Sequence, residues 1–398
     1  MSSIQIEGHN INEINLKTDD LVKKAYTQLR KGSRSKLEIQ ELEETLSHEI
    51  YYSEGVISEA RECQDEALDE TYYRRRTILK RIADGLAWII LDFDVHYISG
   101  CSIGHSAGFM FGKEGYKNER NIVKASIDIP EIKYAIQCDI TNVLHLADVI
   151  VVKQDGQIMP IELKGKSSKG NRRAKRQKKR FKEIIEFLNN GQNQQIIVKD
   201  FPLRTIKSNI VFEHYWGELE KSANEALREG FSWTILDDCI FLAVINSTIS
   251  QGSEKIYLDA LKNVKWQNPK LIITSLGRHI QKNITNIPVT CFPITLFPIQ
   301  IELGIQFLLG NLDAVLCINI NEILKRLQKV GLNAVDENNS IIVHSEGRKI
   351  LICEGAWAKI LNEMVTVQSF IDYCISFTKS ISEEFISEAG EIGMLYIK

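Results

Sequence analysis

One segment of 17 residues predicts the local fold most clearly: Asp148-Val-Ile-Val-Val-Lys-Gln-Asp-Gly-Gln-Ile-Met-Pro-Ile-Glu-Leu-Lys164. It opens with a β-branched run from Val149 to Val152, which is typical of a buried strand. The residues Gln154-Asp-Gly-Gln form a turn signal, and Ile158 to Leu163 is a second apolar run. The stretch therefore predicts two antiparallel strands joined by a tight turn.

The predicted hairpin brings charged side chains together at one end. Strand pairing places Asp148 close to Glu162 and Lys164. Because side chains alternate along a strand, Glu162 and Lys164 are expected on one face, while Ile161 and Leu163 point into the core. A charged face is thus predicted on an otherwise buried strand.

Two carboxylates and a lysine in this arrangement have the chemistry of metal-dependent phosphodiester hydrolysis. Paired carboxylates bind a hard divalent cation such as Mg2+, which lowers the pKa of a bound water and neutralises phosphate charge. A lysine adds a point charge that polarises the attacking water or stabilises the developing pentavalent phosphorus. The alternative is a solvated strand face, because a Glu-x-Lys spacing occurs often by chance.

At these residues the chain resembles the PD-(D/E)XK nuclease superfamily, which has the restriction-endonuclease-like fold. Asp148 matches the first acid, Glu162 the second and Lys164 the lysine, with 13 residues between the acids. The proline of the superfamily's name is replaced by Ala147. The resemblance implies that these three matching residues are catalytic. It also implies the order helix, three strands, helix, strand over about Gly112 to Val211, roughly a quarter of the chain.

The resemblance further implies a cofactor, Mg2+ or Mn2+, held by Asp148 and Glu162. A family-type acid on the first core helix is expected to be a third ligand; Glu119 is preferred and Glu114 is the alternative. Asp139 competes with Asp148 for the first-acid position, because the gap between the acids is variable. The Thr-Asn after Asp139 indicates a turn or cap instead.

A basic segment follows the motif directly. From Lys164 to Lys182 there are 11 lysines and arginines and no acid, in a chain of net charge −3. Apolar residues recur there at helical spacing, so the cations are expected on an outer helix face that binds phosphate backbones. The residues expected to contact DNA are Lys166, Arg172, Arg173, Lys175, Arg176, Gln177, Lys178 and Lys179. The alternatives are a solvated helix face and a nuclear localisation signal.

Two other sites are not favoured by the sequence. Gly165-Lys-Ser is similar to the end of a Walker A loop, but that motif requires glycine where the chain has Pro160. His96, Cys101 and His105 have roughly the spacing of a zinc finger, yet the second ligand pair is missing. The sequence therefore favours neither ATP nor zinc binding.

Composition indicates an ordinary globular protein. The 398 residues are 44% hydrophobic and 25% charged, which is enough to bury a substantial core. The eight cysteines are never closer than 21 residues apart, so they form neither a C-x-x-C pair nor a disulfide framework. Neither a signal peptide nor an uninterrupted run of 18 apolar residues is present. We therefore expect a cytoplasmic protein that does not contact membrane.

The chain divides by pattern into three regions: helical residues 1–110, a nuclease-like core at 111–212 and a mixed α/β accessory region at 213–398. The fold class expected is mixed α/β (α+β). In the helical region Gly55 and Gly85 are expected to be the main breaks. That region is a candidate surface for forming a homo-oligomer, contacting a partner or covering the core. In the accessory region we predict strands at Trp233–Ile245 and Lys270–Leu276, helices at Ile301–Leu309 and Asn319–Val330, and a hairpin at Ser340–Cys353.

These features together predict a Mg2+- or Mn2+-dependent nuclease that hydrolyses DNA. Analogy with the superfamily points to genome defence, such as restriction of phage DNA. One alternative is a nucleic-acid-binding protein on the same fold without catalysis, and another is a protein-interaction scaffold. DNA versus RNA, and endonuclease versus exonuclease, are left open by the sequence.

Overall fold

The structure is a computed structural model that describes residues 10–102, 108–163, 182, 196–198, 201–206, 210–249, 253–276, 292–337, 340–345, 348–354, 356–380 and 395–397. It consists of two compact units, Met1–Gln194 and Gln195–Lys398. Helices are combined with mainly antiparallel sheets, so the predicted mixed α+β class is confirmed. Among the helices described, none combines the length and apolar character needed to span a bilayer.

The first unit begins with helices, as the sequence predicts. They are α1 (Ile11–Arg30), α2 (Lys36–Glu62), α3 (Glu66–Ile90), α4 (Val95–Cys101) and α5 (Tyr116–Ala125). A capping box starts α2: the Ser35 side chain accepts from the Glu38 N–H, and the Glu38 carboxylate accepts from the Ser35 N–H at 2.8 Å. Both contacts satisfy N–H groups that the first helical turn leaves without partners.

The predicted helix breaks at Gly55 and Gly85 are wrong. Gly55 lies inside α2 and Gly85 inside α3, and both are buried. The chain turns between the two helices at Gln64, whose φ of 59° is left-handed. A glycine inside a helix costs about 1 kcal/mol relative to alanine. That cost is small beside the apolar burial that two long packed helices gain, so packing overrides local propensity here.

A three-stranded antiparallel sheet follows α5 in the first unit. Its strands are β1 (Ile132–Gln137), β2 (Val149–Lys153) and β3 (Ile158–Ile161), in the order β1-β2-β3. The predicted hairpin is present as β2 and β3, and Gly156 in its turn has a φ of 84°. Of the expected order, the first helix and the three strands are observed. The strands at Ile196–Val198 and Phe201–Ile206 do not join this sheet but form another one in the second unit. The α2 helix packs on β1, so the helical region and the sheet lie in one unit.

The described residues of the second unit form three sheets. One has the order β13-β5-β4, one the order β6-β7-β9-β8 and one the order β10-β11-β12. The strands are β4 (Ile196–Val198), β5 (Phe201–Ile206), β6 (Phe231–Leu236), β7 (Ile240–Asn246), β8 (Leu271–Ser275), β9 (Leu312–Asn319), β10 (Asn333–Glu337), β11 (Ser340–Ser345), β12 (Arg348–Glu354) and β13 (Leu395–Ile397). Every residue of β7 and β9 is buried, so these two strands form the centre of the unit's main sheet.

Helices pack against the sheets β6-β7-β9-β8 and β10-β11-β12. They are α6 (Trp216–Glu229), α7 (Ser253–Lys262), α8 (Ile301–Leu308), α9 (Ile320–Lys329), α10 (Ala356–Glu363) and α11 (Val367–Ser380). The two helices predicted after residue 300 are observed as α8 and α9, and the predicted hairpin as β11 and β12. The stretch predicted as strand from Trp233 contains two strands, because Asp237 and Asp238 both adopt positive φ and form a tight turn.

Candidate active site

Asp148 lies at the junction of the three strands of the first unit. It directly precedes the central strand β2, and its main chain is bonded to both neighbours. Its N–H donates to the Ile161 carbonyl at 3.1 Å, and its carbonyl accepts from the Cys138 N–H at 2.9 Å. The two contacts fix the first acid of the motif between the ends of β1 and β3.

Glu162 follows the last residue of β3 and is exposed. The residue after it, Leu163, donates its N–H to Oδ2 of Asp148 at 2.6 Å. Ile161 and Leu163 are therefore both bonded to Asp148, and Glu162 lies between them in the chain. The expectation that Glu162 belongs to the strand is wrong, because regular pairing ends at Ile161. Ile161 and Leu163 are half-buried.

Asp139 occupies a short 3-10 turn directly after β1, as its Thr-Asn signal predicted. It is buried, and its carboxylate forms an ion pair with the ammonium group of Lys113. The sequence ranked Asp139 behind Asp148, yet the structure places both at neighbouring strand ends, because the Asp148 carbonyl is bonded to Cys138. Asp139 therefore belongs to the site, although the sequence indicated only a turn or cap for it.

Glu119 comes from the adjacent helix α5 and is only 3% exposed. It accepts a hydrogen bond from Nε2 of Gln137 at 3.4 Å. A Cβ at Gly115, one turn earlier, would lie 3.1 Å from Oε1 of Glu119, so glycine leaves room for the carboxylate. Glu114, the alternative acid, is exposed. Glu119 is thus the acid that the helix directs into the protein.

Three of these carboxylates act on one another electrostatically. The pKa of Glu119 is raised to about 7, mainly by burial and then by the charges of Asp139 and Asp148, while Lys113 opposes the rise. Burial also raises the pKa of Asp148, the Leu163 N–H lowers it, and the charge of Asp139 raises it. Glu119, Asp139 and Asp148 therefore form one acidic cluster, which is the name used below.

Two buried ionisable side chains from helices α2 and α3 are connected to the acidic cluster. Glu43 on α2 is fully buried, accepts the Gln137 N–H at 3.1 Å, and has a pKa raised by burial to about 7. Lys80 on α3 is buried, and its pKa is lowered to about 8, mainly by burial and then by the charge of Arg76, while the charge of Asp139 opposes the change. Sequence reasoning missed both residues, because a polar residue inside an amphipathic helix gives no periodic signal of its distant partners.

Of the predicted metal ligands, the structure brings Asp148 and Glu119 into the acidic cluster and leaves Glu162 exposed beside it. Within the part of the chain that is described, no three His, Cys, Asp or Glu side chains converge closely enough to hold a metal ion. The donors themselves fit a hard cation, since carboxylate oxygens are the ligands that Mg2+ and Mn2+ prefer. Metal binding at this cluster stays a prediction.

The remaining predicted site residues lie outside the described residues. They are Lys164 and the expected DNA contacts Lys166, Arg172, Arg173, Lys175, Arg176, Gln177, Lys178 and Lys179. The sequence still relates Lys164 to the acids, because Lys164 directly follows Leu163, whose N–H donates to the Asp148 carboxylate.

Comparison with protein-family models, curated proteins and solved structures gives no match to this chain.

Proposed function

We propose that the protein is a metal-dependent nuclease that hydrolyses DNA phosphodiester bonds on a restriction-endonuclease-like core. The observation that carries the proposal is the position of Asp148. It precedes the central strand, belongs to the acidic cluster, and accepts a hydrogen bond from the segment that carries Glu162. Glu119, an acidic residue on helix α5, is a member of the same cluster. These are the elements that the resemblance of the sequence implies.

The carboxylates of Asp148, Glu162 and Glu119 would hold Mg2+ or Mn2+, with Asp139 adding negative charge to the pocket. When bound, the cation lowers the pKa of a water ligand and neutralises charge on the phosphate. Lys164 would direct its ammonium group at the water or the scissile phosphate.

The electrostatics of the acidic cluster supports cation binding. Burial is the main cause of the raised pKa values of Glu119 and Asp148, and the charge of Asp139 raises both further, because like charges disfavour one another's ionised form. A divalent cation would relieve that repulsion and favour the ionised carboxylates. We therefore expect metal affinity to rise with pH through about 7, as Glu119 loses its proton.

The basic segment that follows the motif supports a polyanionic substrate. Its 11 cations between Lys164 and Lys182 would neutralise phosphates and release counterions, with little dependence on sequence. Genome defence against phage is the setting that the resemblance favours, and this step is analogy.

The test is cleavage of linear and supercoiled DNA with Mg2+, Mn2+ or EDTA. Glu162→Ala and Lys164→Ala are expected to lose metal-dependent cutting while keeping the native unfolding transition. Glu62→Gln is the matched control, because Glu62 is an exposed acid in the same unit that is not assigned to the site. Equal cutting by the native chain and both motif variants would reject the assigned site.

A DNA-binding protein without catalysis is the second candidate. It is favoured by the finding that, in the described part of the chain, the acids are not gathered for metal binding. Salt-sensitive DNA binding without cleavage under any of these metal conditions would support this candidate.

A further inference from the structure

Gln137, the last residue of β1, connects two helices through its side chain. It is fully buried, and its Oε1 accepts a hydrogen bond from the Ser47 hydroxyl on α2. Its Nε2 donates to Oε2 of Glu119 on α5 at 3.4 Å. Ser47 is also fully buried, so this chain of contacts runs through the interior. We call Ser47, Gln137 and Glu119 the buried relay.

The chemistry of the three groups fixes the direction of the buried relay. An ionised carboxylate only accepts hydrogen bonds, so Glu119 requires the amino end of the Gln137 amide. The carbonyl end must then face Ser47, whose hydroxyl can donate. With Glu119 ionised, the orientation that satisfies both neighbours is the one in the structure.

The backbone around Gln137 is also held on two sides. Its N–H donates to Oε1 of Glu43 at 3.1 Å, and the next residue, Cys138, donates its N–H to the Asp148 carbonyl at 2.9 Å. The residue that contacts Glu119 is therefore adjacent in sequence to the residue bonded to Asp148. A change at Gln137 would alter how these two acids are held relative to each other.

We propose that Gln137 is a positioning residue: with Ser47 it fixes the Glu119 carboxylate within the acidic cluster. The orientation of Glu119 follows from the contacts alone. Its consequence for a cation rests on the proposed nuclease function. Gln137 itself is not assigned to contact the substrate or the cation.

The first measurement uses metal-free protein with 13C-labelled glutamate side chains, titrated by NMR, with the Glu119 signal assigned from Glu119→Gln. We expect Gln137→Met to raise the pKa of Glu119 by about 1 unit, because a hydrogen bond to the charged form is lost. Ser47→Ala is expected to change it in the same direction by less. It also serves as the second variant if Gln137→Met does not fold.

Ser53 supplies a matched control. It is a fully buried serine on the same helix as Ser47, but its hydroxyl donates to the Glu49 carbonyl of its own helix at 2.7 Å. Ser53→Ala should cost similar stability and leave the pKa of Glu119 unchanged. An unchanged pKa in Ser47→Ala and in folded Gln137→Met would overturn the proposal.

The second measurement is Mn2+ binding by calorimetry. We expect Gln137→Met to weaken binding about tenfold, the scale seen when a residue supporting a metal ligand is removed, and Ser53→Ala to leave it unchanged. If the native chain binds no Mn2+ while the pKa of Glu119 still rises in the variants, the buried relay stands and the proposed metal chemistry fails. If the native chain binds Mn2+ and Gln137→Met binds it equally well, the role of Gln137 in cation binding is rejected.

Discussion

Leu163 donates its main-chain N–H to Oδ2 of Asp148 at 2.6 Å, across the end of the β2–β3 hairpin. A hydrogen bond to a carboxylate contributes about 1.5–3 kcal/mol, roughly twice a neutral one. It holds the segment that contains Glu162 against Asp148 after regular strand pairing has ended. The same carboxylate is thus a structural acceptor and a member of the acidic cluster.

This double role predicts a difference between two substitutions. Asp148→Asn keeps an oxygen acceptor for a weaker, neutral hydrogen bond, but it removes a charge that burial and Asp139 disfavour, so we expect a free energy of unfolding close to that of the native chain, with cleavage abolished. Asp148→Ala also removes the acceptor and should be about 1–2 kcal/mol less stable than Asp148→Asn. Urea unfolding at pH 7 and plasmid cleavage measure the two effects. Equal stability of the two variants would show that the Leu163 contact contributes little.

The pKa of Glu119 predicts how stability depends on pH. Its folded value of about 7 exceeds the ordinary glutamate pKa of 4.5, so the folded state binds more protons than the unfolded state between these pH values. The associated stability is fully present below about pH 4.5 and is lost as pH rises to about 7. Other groups also titrate there, so the informative quantity is the difference between the native chain and Glu119→Gln.

We expect the free energy of unfolding to decrease less between pH 5 and pH 7.5 in Glu119→Gln than in the native chain. Glu43 has a pKa raised by burial to about 7, so Glu43→Gln should also reduce this decrease. Urea titrations at closely spaced pH values measure both profiles. Glu114→Gln is the control, since Glu114 is exposed. A fall in Glu119→Gln as steep as in the native chain would contradict the raised pKa.

The ion pair between Lys113 and Asp139 predicts a measurable coupling energy. Asp139 is buried while Lys113 is partly exposed, so solvent screens the pair in part. We expect Lys113→Met to lower the unfolding free energy by about 1 kcal/mol, and Asp139→Asn in the same chain to recover most of it. A double-mutant cycle from urea unfolding gives the coupling. Lys117→Met, at an exposed lysine nearby, should be neutral, and additive effects of the two changes would reject the coupling.

Local sequence signals account for the elements that carry the acids. The β-branched run and the turn at Gly156 predict β2 and β3, and hairpin geometry then brings Asp148 beside the segment of Glu162. The helix of Glu119 is predicted by its position in the superfamily order. The strand and turn predictions succeed because strand alternation and turn chemistry are decided by residues close in sequence.

Contacts between distant residues could not be predicted in this way. Glu43 meets the backbone of Gln137 across 94 residues, and Lys113 meets Asp139 across 26. Tertiary packing determines these contacts, and the pattern of residues near each partner in the sequence does not indicate them. The end of β3 at Ile161 is also invisible in the sequence, because the apolar run continues to Leu163.

Lys36 makes another contact that could not be predicted from the sequence. Its ammonium group donates to the carbonyls of Ser126, Ile127 and Ile129 at 2.7–3.0 Å, where α5 ends. These carbonyls would otherwise have fewer partners, so we expect Lys36→Met to lower the unfolding free energy by about 1–2 kcal/mol. Urea unfolding measures it, with Lys23→Met on α1 as an exposed control. A Lys36→Met variant as stable as this control would show that water satisfies the carbonyls equally well.

The basic segment predicts how DNA binding depends on salt. Each lysine or arginine that neutralises a phosphate contributes about 0.9 to the slope of log K against log salt concentration. Replacing Arg172, Arg173 and Arg176 together by glutamine should therefore lower the slope by about 2.7 and weaken binding at low salt. Fluorescence anisotropy with a labelled duplex in EDTA measures binding without cleavage.

A matched triple variant separates the basic segment from net charge. Lys23, Lys262 and Lys325 are exposed lysines elsewhere in the chain, each with an acidic partner three residues away. Their joint replacement by glutamine changes the net charge by the same amount, and because they lie outside the predicted DNA surface the slope should stay close to the native value. If both triple variants lowered the slope equally, the attraction would come from overall charge, and residues 166–179 would lose their assignment as the surface that holds the DNA backbone.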